Sequence, residues 1–198
     1  VPMLNPDGVE YAVNGVGAEN PLWARLQGMN GGAYFSHWQA NARGVDLNHN
    51  YDAGFAEYKQ KEHEAGILNG APTRYSGEYP ESEPETRAIA NLLRKTEPEL
   101  FIAFHSQGKE IYYDFNGLES ESAKENAEFV AKRTGYKATV PDGTATFGGA
   151  KDYYIQEYHK EAYTVELGMG KNPLPHSALP EMINDVYNIG RNFIDRVF

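Results

Sequence analysis

The chain has 198 residues, 40% of them hydrophobic and 13% aromatic, which is enough for one globular domain burying roughly 70% of its unfolded surface. A formal net charge of −10 argues against a nucleic-acid backbone as partner, which calls for clustered Lys and Arg, and against an anionic membrane surface. Cysteine is absent, so disulfides, thiolate nucleophiles and thiolate metal ligands are all excluded, and any metal site must be built from His, Asp and Glu.

The chain opens at Val1 without an initiator Met and enters Asn5-Pro6-Asp7-Gly8, a turn signal; it reads as a fragment of a longer protein. Val1-Pro2-Met3-Leu4 lacks the charged start and apolar middle of a secretion signal, and no apolar run approaches the roughly 18 residues of a membrane span. From Gly15 to Gly32, Gly, Asn and polar residues surround Pro21-Leu22-Trp23, an irregular surface segment. In Gly44-Val45-Asp46-Leu47-Asn48-His49-Asn50-Tyr51, Val45 and Leu47 alternate with Asp46 and Asn48, the period of a strand with one apolar and one polar face. The same stretch, continued to Asp52 and Glu57, has the ligand spacing of a calcium-binding EF-hand loop. That reading fails at position six, where Tyr51 stands in place of the Gly that the sharp turn needs.

Ser82-Glu83-Pro84-Glu85 has the form of a capping box, and Ile89, Leu92 and Leu93 follow at helical spacing to about Lys95. Glu99 to Phe104 is a continuous apolar run suited to a strand buried on both faces and ending at His105. A helix fits Ser120 to Arg133 with Gly135 as its C-cap, another follows Gly148-Gly149, and Ala162-Tyr163-Thr164-Val165 is a strand ending in Glu166-Leu167-Gly168. Ile183, Val186, Tyr187, Phe193, Ile194 and Val197 close the chain on one helical stripe. Strands alternating with helices predict an α/β fold, a mixed, mostly parallel sheet of at least five strands sandwiched between helices.

In such sheets ligands sit beyond the carboxyl ends of strands. Three expected strand ends carry polar groups: Asp46/Asn48/His49, His105/Ser106 and Glu166. Burying an ionised carboxylate without partners costs several kcal/mol or more, so Glu166 must face a cavity, a cation or a donor. His105 alone is more often a hydrogen-bonded core histidine than a ligand, and Glu166 alone could equally accept from backbone donors. At neighbouring strand ends, a neutral imidazole able to bind zinc and a carboxylate able to take a proton from water make hydrolysis a joint reading.

The ordered set Asn5-Pro6-Asp7-Gly8, Gly44 to Asn50, Ser82-Glu83-Pro84-Glu85-Thr86, Phe104-His105-Ser106 and Thr164-Val165-Glu166-Leu167-Gly168 resembles the zinc metallocarboxypeptidase family nearly end to end. Within it, Trp38-Gln39-Ala40-Asn41-Ala42-Arg43 leading into Asp46 to Asn50 resembles the bacterial branch that cuts the γ-D-glutamyl–diaminopimelate bond of cell-wall peptides. The resemblance implies zinc as cofactor, His105 as a metal ligand, Glu166 as the catalytic carboxylate that activates water, and Asn48 as a contact to the substrate's terminal carboxylate. His49 departs from the digestive pattern, where Arg clamps that carboxylate bidentately; a weaker clamp favours a carboxylate placed as on diaminopimelate. Gln39 falls where a basic oxyanion-stabilising residue is expected, leaving Arg43 as its substitute. Counted back from Gly148-Gly149, the family's mobile closing Tyr corresponds to Thr144.

The family's other two zinc ligands come from a His-x-x-Glu motif, and none of the six histidines here is followed by Glu at that spacing. The resemblance therefore implies that residues 1–198 are the C-terminal major part of a single zinc peptidase catalytic domain, N-terminally truncated and inactive by itself. The implied partner is a peptide substrate, a cell-wall muropeptide, with no nucleic acid and no membrane. The implied source is bacterial, and cytoplasmic, spore-associated and cell-wall locations stay open. A metal-free peptide-binding module is the alternative.

Overall fold

A computed structural model describes residues 1–142 and 146–198. They divide into two units, Val1–Lys95 with Phe147–Gly149, and Thr96–Thr146 with Ala150–Phe198.

Helices and loops make the first unit. Asn5-Pro6-Asp7-Gly8 does not stand as a free turn but starts helix α1 (Pro6–Asn14): Asn5 Oδ1 accepts from Gly8 N at 3.0 Å, and Pro6 sits at the first helical position, where its missing N–H costs nothing. Asn5 Nδ2 donates to the Gln39 and Ala40 carbonyls. The segment expected to be irregular contains α2 (Trp23–Asn30), ended by Gly31 in the left-handed region. It has no side-chain cap and buries only Leu26, so its composition gives no periodic signal. Leu26 joins Tyr11, Phe35, Trp38 and Ala40 in this unit's core, and Trp38 Nε1 donates to Ala40 O at 2.7 Å. Helices α3 (Phe55–Glu64) and α4 (Pro84–Thr96) complete the unit.

The expected strand at 44–51 is instead a loop with a 3-10 turn at Leu47–His49. Hydrogen bonds explain the change. Asp46 Oδ1 accepts from Asn48 N, while Asp46 Oδ2 accepts from Arg74 N at 2.8 Å and Thr73 Oγ1 at 3.1 Å. Asn41 Oδ1 accepts from both Arg43 N and Val45 N. Side chains thus take backbone partners that a ladder would use. Ser82 is not the N-cap of the expected capping box. Helix α4 starts at Pro84, its first turn running from Glu83 O to Arg87 N, so the N-cap position is Glu83, and the Ser82 hydroxyl instead meets Glu83 Oε1 and Asn50 Nδ2.

In the second unit, strands β1 (Leu100–His105), β2 (Glu110–Tyr112), β3 (Lys137–Thr139) and β4 (Glu161–Glu166) form a sheet in the order β1-β4-β2-β3. β1 with β4 and β2 with β3 are parallel; β2 with β4 is antiparallel. The sheet is mixed and mostly parallel, as expected, but has four strands among the described residues. Because side chains alternate, Tyr163, Val165 and Ile111 face one way and pack with Ala127 and Val130 of α5 (Ala123–Thr134) and with Ile189 and Phe193 of α7 (Leu179–Val197). On the other side, Tyr154 of α6 (Ala150–Tyr158) packs on Phe101 at 5.6 Å between ring centroids. β1 is an edge strand among the described residues and is only half-buried, with Phe104 exposed, not buried on both faces as its apolar run suggests. The α7 stripe also splits: Val186 and Phe193 turn inward, whereas Ile183, Tyr187 and Ile194 are exposed.

Candidate active site

In the second unit the strand register sets one row of polar residues across all four strands. His105 of β1 is the Cα partner of Glu166 in β4, Glu166 the partner of Glu110 in β2, and Glu110 the partner of Lys137 in β3. Register partners share a face and adjoining strands lie about 4.8 Å apart, so an imidazole, two carboxylates and an ammonium line up at one end of the sheet. The next row on that face is Ala103, Thr164, Tyr112 and Thr139. Lys137 Nζ is 3.8 Å from Glu110 Oε1 and largely exposed, and the Tyr112 hydroxyl donates to Glu110 Oε2 at 2.8 Å.

Loops fix the ends of β1 and β4. Leu167 N donates to His105 O at 2.8 Å, and Gly168 O accepts from both Gly108 N and Lys109 N. Gly168 has φ 72°, and a Cβ there would stand 2.7 Å from Leu174 Cδ1, so only glycine makes this turn without strain. Asn172 Nδ2 donates to Ser106 O, while Ser106 Oγ donates to Asn172 Oδ1.

Burial pushes the Glu166 carboxyl up to about 7, and the adjacent negative charge of Glu110 adds to the rise. A carboxyl near neutrality exists in comparable amounts as base and acid at pH 7, the state suited to taking up a proton and giving it back. Burial is also the leading cause that raises Tyr112, reinforced by its hydrogen bond to Glu110.

The other expected site residues lie in the first unit. Asn48 is exposed. His49 is buried, its ring stacked on Tyr58 at 4.0 Å between centroids and its Nδ1 3.0 Å from Phe147 O. Gly148 permits that approach: its φ is 79°, and a Cβ would meet the His49 backbone at 2.8 Å. Arg43 extends into solvent 3.6 Å from the buried Glu83 carboxylate and lines a cleft of about 200 Å³ with Arg25, Tyr75 and Tyr79. Thr144 lies outside the described residues. Glu110, Tyr112 and Lys137 escape sequence reasoning because β2 and β3 are three residues each. The signal available was the polar–apolar–aromatic alternation Glu110-Ile111-Tyr112.

Residues 1–189 match the family model described as zinc carboxypeptidase. The chain belongs to the zinc carboxypeptidase family. This zinc carboxypeptidase chain is 35% identical over 190 residues to γ-D-glutamyl-L-diamino acid endopeptidase 1 of Lysinibacillus sphaericus, covering 96% of this chain and 46% of that protein. It is 27% identical to human carboxypeptidase B2, covering 84% and 40%. It thus spans about half the length of the curated relatives it matches. Among solved structures it superposes on bovine thrombin-activatable fibrinolysis inhibitor in complex with tick carboxypeptidase inhibitor with TM-score 0.67 at 20% identity, covering 99% of this chain and 67% of the other. With murein-tripeptide amidase MpaA from Escherichia coli O157 the TM-score is 0.55 at 21% identity, covering 96% and 65%. These two likenesses support the metallocarboxypeptidase-like α/β fold.

A catalytic zinc takes three protein ligands. Among the described residues, no three of His, Cys, Asp and Glu are grouped so as to hold a metal ion. The donor set around His105 does not make a zinc centre, and the chemistry available from the described residues is that of Glu166 and its neighbours.

Proposed function

We propose that this chain is the larger, C-terminal part of a peptidase domain that hydrolyses peptides near a terminal carboxylate, with the γ-D-glutamyl–diaminopimelate bond of bacterial cell-wall peptides as its substrate. The carrying observation is Glu166: a carboxyl poised at about 7 at a strand end, in register with His105. In this reading Glu166 takes the proton from the water that attacks the scissile carbonyl and returns it to the departing amine. His105 contributes one ligand to zinc in the longer protein, Asn48 and His49 meet the substrate carboxylate, and Arg43 stabilises the oxyanion. The 35% identity to a γ-D-glutamyl-L-diamino acid endopeptidase supports the substrate class. The 198 residues alone, with one of three metal ligands, are inactive.

The test compares the longer polypeptide and the 198-residue chain on a γ-D-glutamyl–diaminopimelate tetrapeptide and on a blocked dipeptide with a free carboxylate. The expected result is cleavage of the tetrapeptide by the longer polypeptide alone. Faster cleavage of the dipeptide overturns the substrate reading, and turnover by the short chain overturns its inactivity.

A further inference from the structure

The polar row at the end of the sheet extends beyond the two residues that the reaction uses. His105 and Glu166 occupy its first two positions, and Glu110 and Lys137 follow on the next two strands without a part in proton transfer. A Glu–Lys pair across two strands is an ordinary stabilising contact on an exposed sheet. This one is placed where it also destabilises, because Glu110 stands directly opposite the Glu166 carboxylate and like charges across a strand pair repel. A neutral residue at position 110 would remove that repulsion, so stability alone does not account for a carboxylate there.

The two side chains are set to receive a ligand. The Tyr112 hydroxyl donates to Glu110 Oε2 at 2.8 Å, which orients the carboxylate and leaves Oε1 on the Lys137 side. Lys137 Nζ is 3.8 Å from that oxygen, beyond the roughly 2.7–2.9 Å of a charge-assisted hydrogen bond. With the Glu110 and Lys137 side chains 29% and 72% exposed, such a pair contributes little to stability and opens readily. Lys109 does not compete for this role, because Glu181 of α7, on the other side of the sheet, holds its ammonium at 2.7 Å.

A carboxylate and an ammonium side by side match a group that carries both charges on one carbon, the zwitterion of an amino acid. The side chain of diaminopimelate ends in that group, whereas the side chain of lysine ends in an amine alone. The two α-carbons of diaminopimelate are four carbon–carbon bonds apart, about 5 Å when extended, and adjoining strands are about 4.8 Å apart. A diamino residue with its amide nitrogen at Glu166 therefore brings its far carbon level with Glu110 and its far carboxylate toward Lys137.

We infer that Glu110 and Lys137 select the diamino residue of the substrate, Glu110 binding the ammonium and Lys137 the carboxylate at the far end of diaminopimelate. This rests on the γ-D-glutamyl–diaminopimelate reading of the reaction. The main-chain carboxylate stays with Asn48 and His49, and the row adds recognition of the side-chain end. Lysine then satisfies Glu110 but leaves Lys137 without a partner from the substrate.

The test uses the longer polypeptide and γ-D-glutamyl peptides whose next residue is diaminopimelate, L-lysine or L-norleucine. Ratios of kcat/KM are the readout, because a change in Glu166 basicity on losing the Glu110 charge acts on all three substrates alike and cancels. The unsubstituted protein should favour diaminopimelate over lysine and lysine over norleucine. Lys137→Met should lower the diaminopimelate-to-lysine ratio at least about tenfold, the ordinary worth of a hydrogen bond to a charged group, and Glu110→Gln should lower the lysine-to-norleucine ratio by a similar factor. Lys137 is largely exposed, so its replacement keeps the fold and tests the inference even where Glu110→Gln does not fold. Cleavage with ratios that neither variant moves, or a preference of the unsubstituted protein for lysine, overturns the inference and leaves the reading of the reaction standing. Cleavage of none of the three overturns that reading and the inference with it.

Discussion

Glu166 and Glu110 face each other across the antiparallel β4–β2 pair, two carboxylates on the same side of the sheet, with Lys137 of β3 3.8 Å from the outer one. Like charges directly opposite destabilise a strand pair, and here the inner member carries the cost, because burial alone already disfavours its ionised form. The fold thus stores at one strand end the unfavourable free energy that keeps Glu166 near neutrality.

Stability should therefore fall as pH rises through the window that Glu166 sets. Its folded-state value of about 7 lies above the ordinary 4.5, so the native chain holds a proton there that the unfolded chain has released. Stability is lost between about pH 4.5 and 7, and the full penalty, on the order of 3 kcal/mol, applies above that range. Glu166→Gln cannot ionise. It should raise urea-unfolding stability by about 2–3 kcal/mol at pH 8 and change it little at pH 4. Equal effects at the two pH values would contradict a raised Glu166.

Glu110→Gln separates the two causes of that rise. Burial is the larger and remains, while the neighbouring charge is removed. The Glu166 titration, followed by carboxyl carbon NMR on the intact chain, should move downward yet stay above 4.5. Because Gln keeps an oxygen to accept from the Tyr112 hydroxyl, the strand pair itself should persist. An unmoved titration would mean that the two carboxylates do not sense each other.

A structural carboxylate gives the contrast. Glu83 is 1% exposed and accepts from Asn41 Nδ2 at 2.8 Å and from the Ser82 hydroxyl at 2.8 Å, while Asn41 Oδ1 also receives Arg43 N and Val45 N. Asn41→Ala should cost about 2–4 kcal/mol, since hydrogen bonds to a buried charge are worth about 1.5–3 kcal/mol and backbone donors lose a partner too. Glu81→Ala removes an ion pair to the half-exposed Arg94 and should cost at most about 1 kcal/mol. Urea midpoints of the two variants check the ordering.

Which parts of this were legible from the sequence follows from the range of the interactions. β1, β4 and α5 are long segments whose periodicity and caps, such as Gly135, are local, and His105 and Glu166 were readable as the polar ends of apolar runs. Glu110 was not, because its significance is a register across strands 56 residues apart, and a three-residue strand carries no period. The loop at 44–51 misled for the opposite reason. Its alternation is real, but Asp46 of the polar set is buried along with Val45 and Leu47 of the apolar one: Asp46 is held by Arg74 N and Thr73 Oγ1, and Val45 and Leu47 pack in the first unit, while Asn48 is exposed. Burial of a carboxylate beside its apolar neighbours blurs the distinction between faces that alternation is taken to signal. On α7 the stripe was legible, and its division into a buried and an exposed half depends on which neighbours α7 meets.

His105 stands in a row with Glu166 and Glu110, yet no three ligand-type side chains among the described residues are grouped for an ion, and thiolates cannot substitute in a chain without cysteine. Catalytic zinc sites use three protein ligands, and ligand count governs whether the ion survives dialysis. The 198-residue chain, incubated with zinc and dialysed, should retain well under one equivalent by elemental analysis. His105→Ala should change that residual amount little, and Glu166→Gln should not change it, because Glu166 is assigned to proton transfer and not to ligation. In the longer polypeptide the same His105→Ala should lower zinc content sharply, while Glu166→Gln should keep the metal and lose roughly 10²–10⁴-fold in turnover. Retention of one full equivalent by the short chain, lost on His105→Ala, would show that its own residues complete a metal centre and would reverse the assignment of this chain as part of a larger catalytic domain.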